Sequence, residues 1–101
     1  MKFLLFSMYE PDKVQAVAEV ADKFTDTPGI ESVARYVCMG IPFPGFPQNM
    51  MLSIGVVEAQ NNEAMAAATY PATLAGASIW WVPVLEYEAG AAAQTEKKYR
   101  G

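Results

Sequence analysis

Histidine is absent from this 101-residue chain, and cysteine occurs once, at Cys38. Without an imidazole base there is no Ser-His or Cys-His nucleophile pair, and haem ligation through histidine is not expected. A single cysteine forms no disulfide within the chain, and with scattered carboxylates it makes a poor zinc ligand set. These absences predict a protein with no cofactor and no metal, and they weigh against an enzyme.

Charged side chains are also scarce, at 18% of residues against about 25% in a typical soluble domain. The net charge of −4 is unevenly spread, because residues 1–88 carry −6 and residues 89–101 carry +2. An acidic body repels phosphate backbones, so nucleic acid is not an expected partner. The sequence predicts a domain over 1–88, followed by a basic tail over 89–101 that is flexible or docks on a partner.

Long apolar runs are missing, and no stretch approaches the ~18 residues that a membrane-spanning helix needs. The apolar run 3–6 is too short for a signal peptide, and charged residues and proline follow at 10–12. The glycine motifs of nucleotide-binding loops are absent as well. We therefore expect a cytoplasmic protein with no membrane partner.

Apolar side chains are what the sequence has in excess, at 52% of residues. Residues 2–9 and 49–59 are apolar on both alternating faces, which is typical of central strands that are covered on both sides. Residues 30–40 carry Glu31 and Arg35 on one alternating face, and residues 77–87 contain Pro83, so both segments are predicted to be edge strands.

Two helices are predicted between these strands. Pro11 suits the first position of a helix, and apolar side chains recur at helical spacing up to residue 26. Asn61 or Asn62 caps an alanine-rich helix, with Pro71 either ending it or starting a further turn to Leu74. The order strand, helix, strand, strand, helix, strand predicts an α+β, ferredoxin-like βαββαβ fold. In this fold two helices lie on one face of a four-stranded antiparallel sheet.

The helices cover one sheet face only, whereas both central strands are apolar on both faces. A second copy that presents the same surface covers both copies at once, so we expect a homodimer or a higher oligomer. The proline-rich loop 41–48 carries Phe43 and Phe46, which we interpret as interface anchors, with a lid over a pocket as the alternative.

With this element order, residues 1–88 resemble the dimeric α/β-barrel superfamily. Val57-Glu58-Ala59 before the alanine-rich helix and Val82-Pro83-Val84-Leu85 in the last strand resemble a family of small uncharacterised ferredoxin-like proteins of archaea and bacteria. The resemblance implies two sheets packed face to face. The superfamily includes ligand-binding modules, cofactor-free oxygenases, haem-degrading monooxygenases, dye-decolorising peroxidases and isomerases, so it leaves the activity open.

Four residues are candidates for lining a ligand site. Trp80 and Trp81 point to opposite faces of the last strand, so one of them faces the space between sheets. Tyr36 shares a strand face with Cys38, and the guanidinium of Arg35 suits an anionic ligand. The alternative for Arg35 is an ion pair with Glu31, Glu58 or Glu86.

Glu58, Tyr36 and Cys38 are the candidate catalytic side chains, with Glu58 as a general base at the end of a central strand. The favoured function is a homo-oligomeric module that binds a small apolar or aromatic molecule or another protein. The alternative is a cofactor-independent enzyme, isomerase-like or monooxygenase-like, with a pocket between sheet and helices or between subunits. A subunit of a larger assembly is the third hypothesis.

Overall fold

The computed structural model describes residues 1–85 and 91–100. The elements follow the predicted order, with an additional helix in the tail: β1 (Lys2–Tyr9), α1 (Val14–Ala21), β2 (Ile30–Val37), β3 (Met51–Ala59), α2 (Asn62–Leu74), β4 (Ser78–Pro83) and α3 (Ala91–Arg100). The predicted strands 30–40, 49–59 and 77–87 are longer than β2, β3 and β4, and residues 86 and 87 lie outside the described residues. The division of the chain at residue 88 stays a prediction.

The described strands form one antiparallel sheet in the order β2-β3-β1-β4. β1 and β3 are central, as predicted from their apolar faces, and β2 and β4 are the edges, as predicted from Glu31 and Arg35 and from Pro83. Phe3 and Val57 of the central strands pack with Met65 of α2, and Tyr9 packs with Val17 of α1. Because Phe3, Val57 and Tyr9 share one sheet face, both helices cover that face, and the ferredoxin-like βαββαβ fold is confirmed.

The first helical segment differs from the continuous helix predicted over 11–26. Short 3₁₀ turns at Pro11–Lys13 and Phe24–Asp26 flank α1. Lys23 N–H donates to Val20 O at 3.1 Å, and this i to i+3 bond tightens the end of the helix, as is common at helix termini. The α-helical part is therefore only eight residues long.

The second helix begins and ends where its capping residues predict. Asn61 is the N-cap, and its side chain accepts a hydrogen bond from Ala64 N–H at 2.9 Å. Pro71 lies inside α2, which continues to Leu74 although proline supplies no N–H donor to the preceding turn. Asn62 accepts a hydrogen bond from Trp81 Nε1 at 2.6 Å, which ties the start of α2 to β4.

The core between sheet and helices is divided in two within the described chain. One cluster contains Phe3, Val57, Ala59 and Met65, and the other contains Tyr9, Val17 and Ala77. Between them the helix-facing side chains of the central strands are small: Ser7, Ser53 and Gly55. The space between the sheet and the helices is therefore not filled by side chains at the middle of the strands.

Substituting Met65 by alanine tests this core. Met65 is fully buried, so we expect Met65→Ala to lower the free energy of unfolding by about 2–5 kcal/mol through lost contacts and a new cavity. Met39→Ala is the matched control, because Met39 is 94% exposed and its loss should be near neutral. Urea denaturation measures both variants, and equal losses would contradict the assigned core.

Candidate ligand-binding site

A cavity of about 550 Å³ lies between the sheet and the helices. Its sheet side includes Ser7, Ser53 and Gly55. Ser7 of β1 pairs with Ser53 of β3, and Gly55 is the next residue on the same face of β3. Its helix side is also lined by small side chains: Ala18, Ala21, Ala68 and Ala72. Because sheet and helices are held apart by the larger core residues on either side, small residues on both layers leave the space open.

A group of hydroxyls lies on the sheet side of this cavity. Tyr9 Oη and Ser53 Oγ are hydrogen-bonded at 2.9 Å. Ser7 pairs with Ser53 in the β1–β3 ladder, and its Oγ is buried without a hydrogen-bond partner among the described residues. Leaving a buried hydroxyl unpaired costs about 1–3 kcal/mol. The cavity therefore combines an apolar lining with one buried hydroxyl that has no hydrogen-bond partner in the described part of the chain.

Arg35 and Asp22 border the cavity where β2 passes the end of α1. Arg35 Nη1 lies 3.7 Å from Asp22 Oδ1, and the two side chains are 58% and 76% exposed. The pair therefore marks the solvent end of the cavity, and an ion pair with this exposure contributes little to stability.

The predicted ion pairs of Arg35 with Glu31 and Glu58 are wrong, and the third predicted partner, Glu86, lies outside the described residues. A β-bulge between Ser32 and Ala34 shifts the register of β2. Glu31 pairs with Glu58 before the bulge, whereas Arg35 pairs with Gly55 after it. The inserted residue moves Arg35 to the helix-covered face, away from both glutamates. Glu58 instead lies 3.4 Å from the N-terminal amine of Met1.

The other sheet face carries two apolar rows that run across all four strands. The register aligns Tyr36, Ile54, Phe6 and Trp80 in one row and Ala34, Val56, Leu4 and Val82 in the next. The rings of Phe6 and Trp80 stack with their centroids 5.3 Å apart and their planes 9° from parallel. We call these eight residues the open face, because the helices lie on the opposite side of the sheet.

Trp80 and Trp81 point to opposite faces of the sheet, as predicted from their adjacent positions in the last strand. Trp80 lies on the open face and is 38% exposed, whereas Trp81 packs against the core beneath the helices. The pairing of Trp81 with Leu5 and its hydrogen bond to Asn62 fix it at one end of the core, and it does not line the cavity. Of the four candidate ligand residues, Arg35 lines the cavity. Tyr36 lies at the border of the cavity, but strand alternation directs its side chain to the open face.

The candidate catalytic residues are not brought together. Cys38 N–H donates to Leu52 O at one end of β3, and Glu58 lies at the other end. Leu52 and Glu58 are six residue steps apart along β3, a distance of about 20 Å. Ser7, Ser53 and Gly55, which line the cavity, were missed by sequence reasoning. Their signal was small residues interrupting two otherwise apolar central strands.

The loop between β2 and β3 holds the two predicted interface residues. The rings of Phe43 and Phe46 meet edge to face, with centroids 5.4 Å apart, and Phe46 N–H donates to Phe43 O at 3.2 Å. Phe43 is 47% exposed. The loop therefore carries an ordered aromatic pair at its surface.

Residues 1–85 and 91–100 contain no candidate metal site and no helix that could span a membrane. Nowhere in these ranges do three or more histidine, cysteine, aspartate or glutamate side chains gather as metal ligands. The helices of the same ranges are each too short or too polar to cross a membrane.

Comparison with known proteins finds similarity in structure but not in sequence. No protein-family model matches the chain, and no curated protein matches it in sequence. The C-terminal domain of the MgtC protein from Mycobacterium tuberculosis is similar in structure, with a TM-score of 0.64 and 9% identity, over 87% of this chain and 92% of that one.

Two further solved structures share this architecture. An uncharacterized protein from Thermotoga maritima has a TM-score of 0.55 and 18% identity, over 83% of this chain and 96% of that one. A putative antibiotic biosynthesis monooxygenase from Deinococcus radiodurans has a TM-score of 0.50 and 13% identity, over 87% and 96%. At these identities the likeness establishes the fold alone, and this chain has a ferredoxin-like fold.

The paired serines allow a test of the unpartnered hydroxyl. We expect Ser7→Ala to leave the free energy of unfolding unchanged or to raise it by up to about 1 kcal/mol, because it removes an unpaired buried group. Ser53→Ala is the matched control and should cost about 1 kcal/mol, since it removes the partner of Tyr9. Chemical denaturation distinguishes them, and an equal loss in both variants would show that Ser7 has a partner.

Proposed function

We propose that this protein is a homodimeric module that binds a small apolar or aromatic molecule. The molecule occupies the cavity between the sheet and the helices, and a second copy of the chain covers the open face. The observation that carries the proposal is the cavity of about 550 Å³ with the unpartnered Ser7 hydroxyl at its wall. We place the protein in the cytoplasm, on the grounds of its single cysteine.

The size of the cavity supports a ligand. Ligand pockets commonly measure about 300–1,000 Å³ and are mostly apolar with a few convergent polar groups. The lining is mainly apolar, and the cavity opens to solvent beside Arg35 and Asp22. A mainly apolar molecule that enters there removes this apolar surface from water, which is favourable by about 25 cal/mol per Å².

The open face supports pairing with a second copy. Its two rows are apolar apart from the hydroxyl of Tyr36 and the indole N–H of Trp80. The exposed fractions of Trp80, Val82 and Tyr36 are 38%, 43% and 61%. A contiguous apolar surface of this kind is typical of an interface. The rows cross the sheet from edge to edge, so a two-fold axis through the sheet centre brings each copy onto the same surface of the other. We assign Phe43 and Phe46, which lie in the loop between β2 and β3, to the same interface.

The geometry favours binding over catalysis. Glu58 and Cys38 lie at opposite ends of β3, and strand alternation directs Tyr36 to the open face. The cavity wall instead presents hydroxyls and aliphatic side chains, which orient a ligand by hydrogen bonding and apolar contact. The isomerase-like or monooxygenase-like alternative from the sequence therefore gains no assembled site from these residues.

The subunit number tests the pairing. We expect native mass spectrometry and sedimentation to give twice the 11.0 kDa chain mass for the wild type. Trp80→Glu places a charge on the β4 side of the proposed interface, against the ring of Phe6, and should yield monomers, because a buried unpaired charge is costly. Leu74→Glu is the matched control, since Leu74 is 71% exposed on α2 and the change should leave the dimer intact. A monomeric wild type would overturn the pairing.

Filling the cavity tests the binding site. A Cβ on Gly55 meets its nearest neighbours at 3.8 Å, an ordinary contact distance, so alanine fits at this position, and a longer side chain extends into the cavity that Gly55 lines. Gly55→Leu fills the space and should abolish binding of the neutral fluorescent probe N-phenyl-1-naphthylamine. Gly55→Ala, which adds one methyl group, should weaken it only slightly.

Fluorescence titration measures binding, and circular dichroism confirms that both variants fold. Unchanged probe binding by Gly55→Leu would place the probe outside the cavity. An absence of probe binding by the wild type would count against a ligand site of this kind.

A further inference from the structure

We infer that the cavity binds a carboxylic acid, with its apolar body between the two core clusters and its carboxylate on Arg35. This inference rests on the proposed function, because it requires the cavity to be the ligand site. It adds the chemical class of the ligand and the residue that selects it.

The position of Arg35 is the first observation. The bulge between Ser32 and Ala34 places Arg35 opposite Gly55, on the helix-covered face of edge strand β2. Arg35 therefore lines the cavity at its solvent end, while its charge stays in reach of water. The planar guanidinium of arginine suits a carboxylate, because two parallel N–H donors match the two carboxylate oxygens.

The present partner of Arg35 is easily exchanged. Asp22 contacts it through one atom pair at 3.7 Å, beyond the usual hydrogen-bond distance, and both side chains are mostly exposed. Asp22 is also the C-cap of α1, a position where the helix dipole disfavours negative charge. A ligand carboxylate that engages two donors of the guanidinium therefore displaces a weakly held partner.

The inner end of the cavity fixes the length of the ligand. Ser7 lies on β1 and Arg35 on β2, with β3 between them, so their strands are about 10 Å apart. The unpartnered Ser7 hydroxyl accepts or donates one hydrogen bond at that end. The lining between Ser7 and Arg35 includes the Leu5 side chain and the α-carbon of Gly55, which offer only apolar contact. An acid with an apolar body of roughly this length reaches from Arg35 to Ser7, and a polar group at its far end would pair with the Ser7 hydroxyl.

Decanoic acid and 1-decanol test the inference, because they share a chain and differ in the carboxylate. Displacement of N-phenyl-1-naphthylamine in a fluorescence competition titration measures the affinity of each compound for the wild type and the charge variants. Isothermal titration calorimetry measures it for Gly55→Leu, which is not expected to bind the probe. We expect Arg35→Gln to weaken decanoic acid about tenfold, the loss typical of a charge-assisted hydrogen bond, and to change 1-decanol less than about twofold. Asp22→Asn should strengthen decanoic acid about threefold by releasing the guanidinium. Lys97→Gln removes the same charge from the tail helix and should change neither affinity.

The outcomes separate the two proposals. Selective loss of decanoic acid binding in Arg35→Gln, together with its loss in Gly55→Leu, supports the assignment. Equal effects of Arg35→Gln on acid and alcohol would overturn the carboxylate assignment and leave the cavity site standing. Unchanged binding of both compounds by Gly55→Leu would overturn the cavity site and the carboxylate assignment together.

Discussion

The antiparallel pairing of β1 with β3 determines both surfaces on which function is proposed. This ladder sets Leu5 beside Gly55 and Ser7 beside Ser53 on the helix side, which leaves the cavity open. The same ladder sets Phe6 beside Ile54 on the other side, at the centre of the open face. A slip of one residue would exchange the two faces of a strand, so the register is fixed by the burial of Phe3 and Val57.

The bulge in β2 has a comparable effect on charge. With regular alternation, Glu31 and Arg35 would share the open face, and a charged pair there would disrupt an apolar interface. The extra residue sends Arg35 to the cavity and leaves Ala34 and Tyr36 in the apolar rows. One local irregularity thus removes a cation from the proposed interface and supplies one to the proposed ligand site.

The two proposed surfaces lie on opposite sides of the same central strands. Ser7 faces the cavity and its neighbour Phe6 faces the stacked ring of Trp80. The proposed dimer would therefore bury the side of β1 that the proposed ligand does not touch. The split core has the complementary role, since its two clusters hold the helices above the sheet and keep the space between them from collapsing.

The sequence by itself determined the element order, the central position of β1 and β3, the cap at Asn61 and the opposite faces of the two tryptophans. These features follow from local rules, namely strand alternation, helix capping and the exclusion of proline from central strands. The cavity, the exchange of partners at Arg35 and the separation of Glu58 from Cys38 were decided by tertiary structure. A cavity depends on which small residues of distant segments face each other, and a bulge reverses the side-chain alternation beyond it. The distance between the sheet and the helices and the position of the bulge in β2 both depend on how the strands pair, so neither could be predicted from the sequence pattern.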